Sequence, residues 1–594
     1  MKNSYQSRHA VLMIIIALTS LCDLSQAAVP TVDGVPPPEL LKWEKGLRQA
    51  GASRAEISHF VEFLREQSPA DLKEVQEYLQ GAPPNIFATY LRGVRQETSE
   101  WAPKPVFPAA MPARSCEDLR DISIPNATIE IITVDASDGS CRIMVSVTHP
   151  PASDHVKVFI ALPTKAWNGR FRGTGGSGFL GGSERNLRSP LAQGYATGAT
   201  DTGHEGDNGS FALNANGRLN WQEIRDNAYL GIHDMTVVGK TLTEAFYGKA
   251  PRYSYFVGAS TGGRQGLMEA QRYPDDYDGI VAACPSISWH RMVPAAFWAQ
   301  EVMLRSHNFV PKSKLDAVTV AAVTSCDGLD GVVDGVIDDP NRCRYDPRGL
   351  IGTKVGDSIF TEADADVVRK VWEGPRGHDG KFLWYGPSRG ADLSAVAGTS
   401  GASLIGKPFS VSLEYIQYFL IANPHWDWTS LAPGDFELLF DQSIEEYGAV
   451  IGTDDPDLAS FRDRGGKIII YHGLADELVP AQGTVEYYRR VLQRMGGPQQ
   501  TAQFARLFLL PGVDHALVGA GPSPPGITDA IIDWVENGKA PERIIAELAD
   551  TNGKTIRTRP LFPYPQVAKY KGRGSTDDAR NFVGFTPAQS ELGQ

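Results

Sequence analysis

The chain has 594 residues, 42% of them apolar and 21% charged, the balance of an ordinary globular protein too long for one small core. A net charge of −13 and a pI of 5.5 set aside nucleic acid and anionic membrane surfaces as expected partners, because both select a basic patch and no long basic run interrupts the acidic balance.

Residues 1–28 read as a secretory signal peptide. Lys2 and Arg8 precede the apolar run Ala10–Leu18, and the small residues of Leu24–Ala28 supply a cleavage site after Ala27 or Ala28. Lipid attachment at Cys22 is the weaker alternative, since bulky Leu21 stands where a small residue is needed, and the apolar run is short for a retained span. No other apolar stretch reaches membrane length, so no stable membrane anchor is expected and the predicted location is secreted or periplasmic. Export permits disulfides. Once Cys22 leaves with the signal, Cys116 with Cys141 and Cys326 with Cys343 are the economical pairs, each closing a short loop, and Cys284 is left as a free thiol. Spacing alone does not fix that connectivity.

Residues 29–112 read as a helical N-terminal extension. The capping box Ser53–Glu56 leads into Ile57, Phe60, Val61 and Leu64 at helical spacing. Ser68–Asp71 repeats the device with Pro69 at the first helical position, followed by Leu72, Val75 and Leu79. From 113 the texture turns β-rich, with strands predicted at Ile129–Val134, Cys141–Val147 and Val156–Leu162. A strand at Tyr253–Gly258, a helix over Thr261–Tyr273 and a strand at Gly279–Cys284 then alternate, which predicts an α/β fold with a mainly parallel sheet covered by helices on both faces. Residues 113–290 form the first part of this core. The pattern lapses over 291–455, where Gly, Pro and Trp are frequent, and one long insertion explains the lapse. It resumes over 456–555 with strands at Lys467–Gly473 and Ala505–Gly512, and the tail 556–594, rich in Pro, Gly and charge, is expected to wrap the surface.

Gly258-Ala-Ser260-Thr-Gly262 has the form G-x-S-x-G between a strand and a helix, the context in which a sharp turn lifts a serine hydroxyl clear of the backbone. A hydroxyl is a poor nucleophile without a base, and on this kind of fold the order is Ser, acid, His. Only one histidine follows His472, namely His515, in the loop after the last predicted strand. Asp476, just after the preceding strand, is the candidate acid; Glu477 and Asp514 are rivals, although Asp514 adjoins the base and is badly placed to reach behind its ring. For the oxyanion, the backbone N–H of Thr261 is one expected donor. The glycine-rich segment Arg170–Gly182 offers the other, with Gly176 the first choice and Gly175 or Ser177 the alternatives.

Together with "GTGGSGFLGG", "GYATGATDTGH", "CDGLDGVVDGVIDDP", "HWDW" and "YHGLADELVP", these segments resemble the tannase and feruloyl esterase family, which includes mono(2-hydroxyethyl) terephthalate hydrolase-like enzymes, in family order from about 115 to 520. The resemblance implies an α/β-hydrolase fold with an inserted lid and cleavage of phenolic or other aromatic acid esters through a serine acyl-enzyme. It also implies a disulfide between the residue before the nucleophile and the residue after the catalytic histidine; this chain has Ala259 and Ala516 there.

Ser325–Cys343 crowds aspartates whose mutual repulsion calls for a cation, and Ca²⁺ takes six to eight oxygen ligands. Asp327, Asp330 and Asp334, with the carbonyls of Val332 and Val336, are the candidate ligands, and they match the positions that hold a structural Ca²⁺ in the family. No histidine joins them, which argues against zinc. Phe179, Phe419 and Trp426 are candidate walls for a flat acyl group, although lid aromatics serve equally well as the lid's own core; Asp201 and His204 read as loop braces. The expected activity is that of an exported serine esterase on a small aromatic ester. The alternatives are an acyltransferase or peptidase using the same triad, or a catalytically silent binding protein on a hydrolase fold. The sequence carries no reading of oligomeric state.

Overall fold

Nine strands build one mixed sheet: β1 (Ala127–Asp135), β2 (Ser140–Val147), β3 (Val156–Pro163), β4 (Arg170–Thr174), β5 (Ala196–Thr200), β6 (Tyr253–Ala259), β7 (Gly279–Ala283), β8 (Lys467–Gly473) and β9 (Ala505–Leu510). The computed structural model describes residues 37–50, scattered positions between 52 and 87, and 103–587 apart from 108–109, 136–137, 402–403 and 551. The expected signal peptide and both N-terminal capping boxes lie outside the described residues. The helix Pro37–Gln49 is described, and its Trp43 meets Phe60 edge-on at 6.3 Å.

The strands lie side by side in the order β1-β2-β3-β5-β4-β6-β7-β8-β9. The β1/β2, β2/β3 and β3/β5 pairings are antiparallel. From β5 through β4, β6, β7 and β8 to β9 every pairing is parallel. Five of the eight pairings are parallel, so the expected mainly parallel sheet is present where the serine, acid and histidine strands lie, with an antiparallel edge added at β1, β2 and β3. Buried strand β8 shows why: Ile468 and Ile470 join the core that holds Val158, Phe171, Phe256 and Leu507. Ile469 on the other face meets Phe508, Ile531 and Trp534, the last two on the helix Ile527–Asn537. A strand covered on both sides loses the alternation of a half-exposed one. Each such isoleucine contributes about 1.5–3 kcal/mol of apolar burial.

The chain leaves the sheet after β7 and returns at β8. Between them lie helices including Trp289–Ala295, Trp298–Arg305, Lys312–Cys326, Glu362–Glu373 and Asp435–Ile451. This stretch has one core of its own, around Met303, Val318, Phe360 and Val368, and shares another, around Phe419, Phe440 and Tyr447, with Phe179, Phe211 and Ile224 of the first part.

Both economical disulfides form, Cys116–Cys141 with Cα atoms 5.7 Å apart and Cys326–Cys343 with 5.4 Å, and Cys284 is a buried free thiol. The tail expected to wrap the surface carries strands that its composition hides. Thr555–Leu561 pairs antiparallel with Ile544–Ala549, and Val567–Tyr570 pairs with Phe582–Phe585, so the boundary drawn at 555 cuts into a hairpin. Arg557, Arg559 and Pro560 hide that strand in the sequence, yet the arginines are there to reach Asp334. No helix among the described residues is long and apolar enough to cross a membrane.

Candidate active site

Strand β6 delivers Ser260 onto the helix Thr261–Arg272 through a backbone at φ 57°, ψ −119°. A non-glycine residue in that region costs about 1–3 kcal/mol of strain, so the surroundings must hold it. They do: Ser260 N donates to Ala283 O at 2.9 Å, while Ser260 O accepts from Arg264 N at 3.0 Å and Ser286 N at 3.2 Å. The flanking glycines are steric necessities. A Cβ on Gly258 would lie 2.5 Å from the Gly262 backbone, and one on Gly175 would lie 2.5 Å from Gly262 Cα.

The loop after β9 brings His515 to the serine, with Nε2 3.0 Å from Ser260 Oγ. On the other side of the ring, Nδ1 lies 2.7 Å from Asp476 Oδ2. Asp476 follows β8 and is fixed through Oδ1, which accepts from Leu478 N at 3.0 Å and Val479 N at 2.7 Å. All three side chains are buried. The rivals are occupied elsewhere: Glu477 Oε2 accepts from the His515 backbone amide at 3.1 Å, and Asp514 Oδ1 accepts from Val518 N at 3.0 Å. Sequence reasoning missed His472, whose Nε2 is 3.0 Å from Asp476 Oδ2 and 2.9 Å from Val479 O. Its place on β8, four residues before the acid, was the available signal.

Burial opposes charge on Asp476, but the facing His515 and the hydrogen bonds from both imidazoles outweigh it and hold the carboxyl below the usual range. Burial pulls His515 down; the charge of Asp476 and its hydrogen bond, then Glu477 and Asp514, more than reverse this and leave it raised. The arrangement is a hydrogen-bonded chain in which the imidazole can take the hydroxyl proton while the anchored carboxylate holds the ring in place.

Gly176 does not present its amide to this site. Its N–H donates to the Gln265 side chain at 3.0 Å and its carbonyl accepts from Gly262 N at 3.0 Å, so it ties the loop to the elbow helix. Gly178 is the glycine of that loop that lines the cavity beside Ser260 and Thr261, and its carbonyl accepts from Thr261 Oγ1 at 2.7 Å.

That cavity encloses about 680 Å³ and is walled by Trp289, Met292, Phe409, Val411 and Leu478. The expected aromatic wall is corrected accordingly. Phe179 and Phe419 stack on one another at 5.8 Å in the core shared between the insertion and the rest of the fold, and Trp426 packs near Phe297 at 6.4 Å; none of the three lines the cavity. Phe179 instead backs Trp289 at 5.8 Å. Lid aromatics that bury each other are indistinguishable in sequence from those that face a ligand. Asp201 Oδ1 braces its loop by accepting from Lys157 N and Gly203 N, both at 2.8 Å. His204 stacks on Phe211 at 4.0 Å.

In the aspartate-rich loop, Asp327 accepts the amides of Asp334 and Gly335 at 2.9 Å and of Val336 at 3.3 Å. Asp334 is held by Arg557 and Arg559. The chain bends at Gly331 and Gly335 with φ of 89° and 83°. Burial raises Asp330, and burial followed by the charge of Asp330 pushes Asp338 up to about 8. Arg342 and Arg344 add to the positive charge near Asp339, yet the five aspartates still present an oxygen-rich set that suits a hard cation. Asp327, Asp330 and Asp334 are not among the described groups whose donor atoms lie within 4.8 Å of one another, so the three carboxylates are not gathered as they stand.

The family model for "Tannase and feruloyl esterase" matches residues 141–585. This chain belongs to the tannase and feruloyl esterase family. It is a carboxylic ester hydrolase. A probable feruloyl esterase of Arthroderma benhamiae is 38% identical over 475 residues, covering 77% of this chain and 86% of that protein. Feruloyl esterase B of Aspergillus niger is 31% identical over 471 residues, covering 76% and 88%. Among solved structures, feruloyl esterase B from Aspergillus oryzae superposes with a TM-score of 0.71 at 27% identity, covering 79% of this chain and 99% of that one. Tannin acyl hydrolase from Aspergillus niger shares the fold, with a TM-score of 0.71 at 24% identity over 80% of this chain and 96% of its own.

Proposed function

We propose that this tannase and feruloyl esterase family member is an exported serine hydrolase of phenolic and other aromatic acid esters, working through Ser260, His515 and Asp476. The observation that carries the reading is the unbroken relay of 3.0 and 2.7 Å from a strained serine, opening into a large cavity walled by Trp289 and Phe409. The relatives named as feruloyl esterases support the phenolic acid side. The leader pattern of residues 1–28 and two disulfides support export.

His515 Nε2 takes the hydroxyl proton as Ser260 Oγ attacks the ester carbonyl carbon. The oxyanion forms beside the elbow, where the amides of Thr261 and Gly178 are the assigned donors. Asp476 fixes the Nδ1–H tautomer and stabilises the imidazolium. The C–O bond to the alcohol breaks as His515 returns the proton to the leaving oxygen. Water enters, gives its proton to His515, and its hydroxide attacks the acyl carbon; Ser260 leaves with that proton and the free acid departs. Asp327, Asp330 and Asp334 with the carbonyls of Val332 and Val336 would hold Ca²⁺, which would brace the loop electrostatically and take no part in the chemistry.

The test is a panel of ferulate, gallate, terephthalate and short aliphatic esters on wild type and Ser260→Ala, with an alcohol acceptor present and absent. Hydrolysis of an aromatic ester, lost in the variant, is the expected result. Preference for the alcohol acceptor over water would replace hydrolysis with acyl transfer, and full activity of the variant would remove Ser260 from the chemistry.

A further inference from the structure

His515 is gripped at both ends of its backbone by side chains from other loops. Its amide donates to Glu477 Oε2 at 3.1 Å. Its carbonyl lies 3.6 Å from Cys284 Sγ, within hydrogen-bond range for a thiol donor. Cys284 is itself pinned: it is fully buried, has φ 33°, and its N–H donates to Tyr471 O on β8 at 2.8 Å. Its sulfur sits within 4.8 Å of donor atoms on both Asp476 and His515. Beside this grip, Ala259 and Ala516 offer methyl groups that make no hydrogen bond.

We propose that Glu477 and Cys284 are positioning residues that clamp the His515 backbone from two sides. The proposal rests on the triad reading above and extends it to the residues that aim the base. Asp476 fixes the ring's tilt, but a ring hinged on an unheld backbone would still swing. Burial, then the charge of Asp476, raises the Cys284 thiol, so it keeps its proton and remains a donor. The acidic and thiol groups facing His515 are Asp476, Glu477, Asp514 and Cys284, with the His472 ring behind Asp476.

The test compares Cys284→Ala, Cys284→Ser, Glu477→Ala and Glu477→Gln in the full-length protein, with kcat expressed per Ser260 titrated by a fluorophosphonate so that misfolded molecules are not counted. Each alanine variant is expected to lose about three- to tenfold in kcat with KM unchanged, the effect of one hydrogen bond. Serine at 284 still donates and glutamine at 477 still accepts, so both are expected to recover most of kcat. Burial, then the charge of Asp476, pushes Glu477 up to about 7, so it faces the imidazole as an anion only above that pH; Glu477→Gln therefore lowers kcat/KM on the neutral side without moving the acid limb far, and Cys284→Ser leaves the whole profile in place. Alanine variants at wild-type kcat, or serine and glutamine variants as impaired as alanine, would overturn the clamp. Ser260→Ala runs in the same assay: if it stays active the triad reading fails, and if it is dead while the alanine variants run at full speed only the clamp fails.

Discussion

The His472 ring lies 3.0 Å from Oδ2 of Asp476, on the same oxygen that takes His515. Its Nδ1 is 2.9 Å from Thr484 Oγ1, a hydroxyl able to donate to it, which leaves Nε2–H aimed at Asp476 and Val479 O. One carboxylate oxygen thus divides its charge between two imidazoles. Replacing His472 with Phe concentrates that charge on His515, which is already raised above its ordinary value of 6.5. The expected outcome is an acid limb of kcat/KM displaced to higher pH with a lower plateau. A pH–rate profile with an unmoved limb would rule the coupling out.

The relay itself sets the largest effects. Ser260→Ala and His515→Ala are expected to lower kcat by about 10⁴–10⁶, and Asp476→Asn by about 10⁴, because the amide favours the wrong tautomer. Steady-state rates on one aryl ester decide this.

The elbow leaves no room at Gly258. A methyl group there would stand 2.5 Å from the C and O atoms of Gly262, neither of which is a flexible side-chain end. Gly258→Ala is expected to cost about 2–4 kcal/mol of stability and to abolish detectable turnover, through overpacking rather than lost chemistry. Chemical denaturation with a parallel activity assay measures both.

Stability should carry a basic-side signature from His149. A hydrogen bond to Asp234 pushes this ring up to about 9; burial opposes it, and Asp154 at 2.6 Å and the Asp226 charge add to it. A folded pKa above the unfolded value of 6.5 means that the stabilisation is complete below pH 6.5 and fades as pH rises through about 9. His149→Gln is therefore expected to lose about 2 kcal/mol near pH 6, discounted for partial exposure, and little above pH 9.5. Urea midpoints at the two pH values test the sign.

If the aspartate loop holds Ca²⁺, chelation should lower Tm by about 3–8 °C and added Ca²⁺ should restore it. Asp327→Asn should be insensitive to both. Metal analysis of the purified protein, combined with thermal melts, gives the answer, and an unchanged Tm in chelator would leave arginines, Arg557 and Arg559 at Asp334 and Arg342 and Arg344 near Asp339, as the loop's counter-charges.

What the sequence made legible follows physical period and order. Lys467–Gly473 reads as a strand to the residue because its apolar run is bounded by turn formers. Ser260, Asp476 and His515 stand out because each follows a strand end in the order this chemistry uses. Strands β4 and β5, Arg170–Thr174 and Ala196–Thr200, escaped because five wholly buried residues mixing Gly, Ala, Thr and Arg show neither alternation nor β-branched density. Composition favours Gly176, but in the fold Gln265, from the elbow helix, claims its amide. The cavity wall was out of reach, because Trp289 and Phe409 are 120 positions apart and differ from Phe179 and Phe419 only in which way they face.

Strands β7 and β8 are hydrogen-bonded neighbours, with Gly279 opposite Lys467. Because the pairing is parallel, the excursion from 284 to 466 leaves beside Tyr471 and returns beside Gly279, so it crosses back over about 13 Å of strand before it rejoins the sheet. To the sheet it is a single overgrown loop, and the entropy of closing a loop rises only as the logarithm of its length. Such a segment is open to being shortened, lengthened or exchanged wholesale while the scaffold beneath stays in register. Selectivity and reactivity can then diverge on separate schedules, one written in the removable cover and the other in the frame.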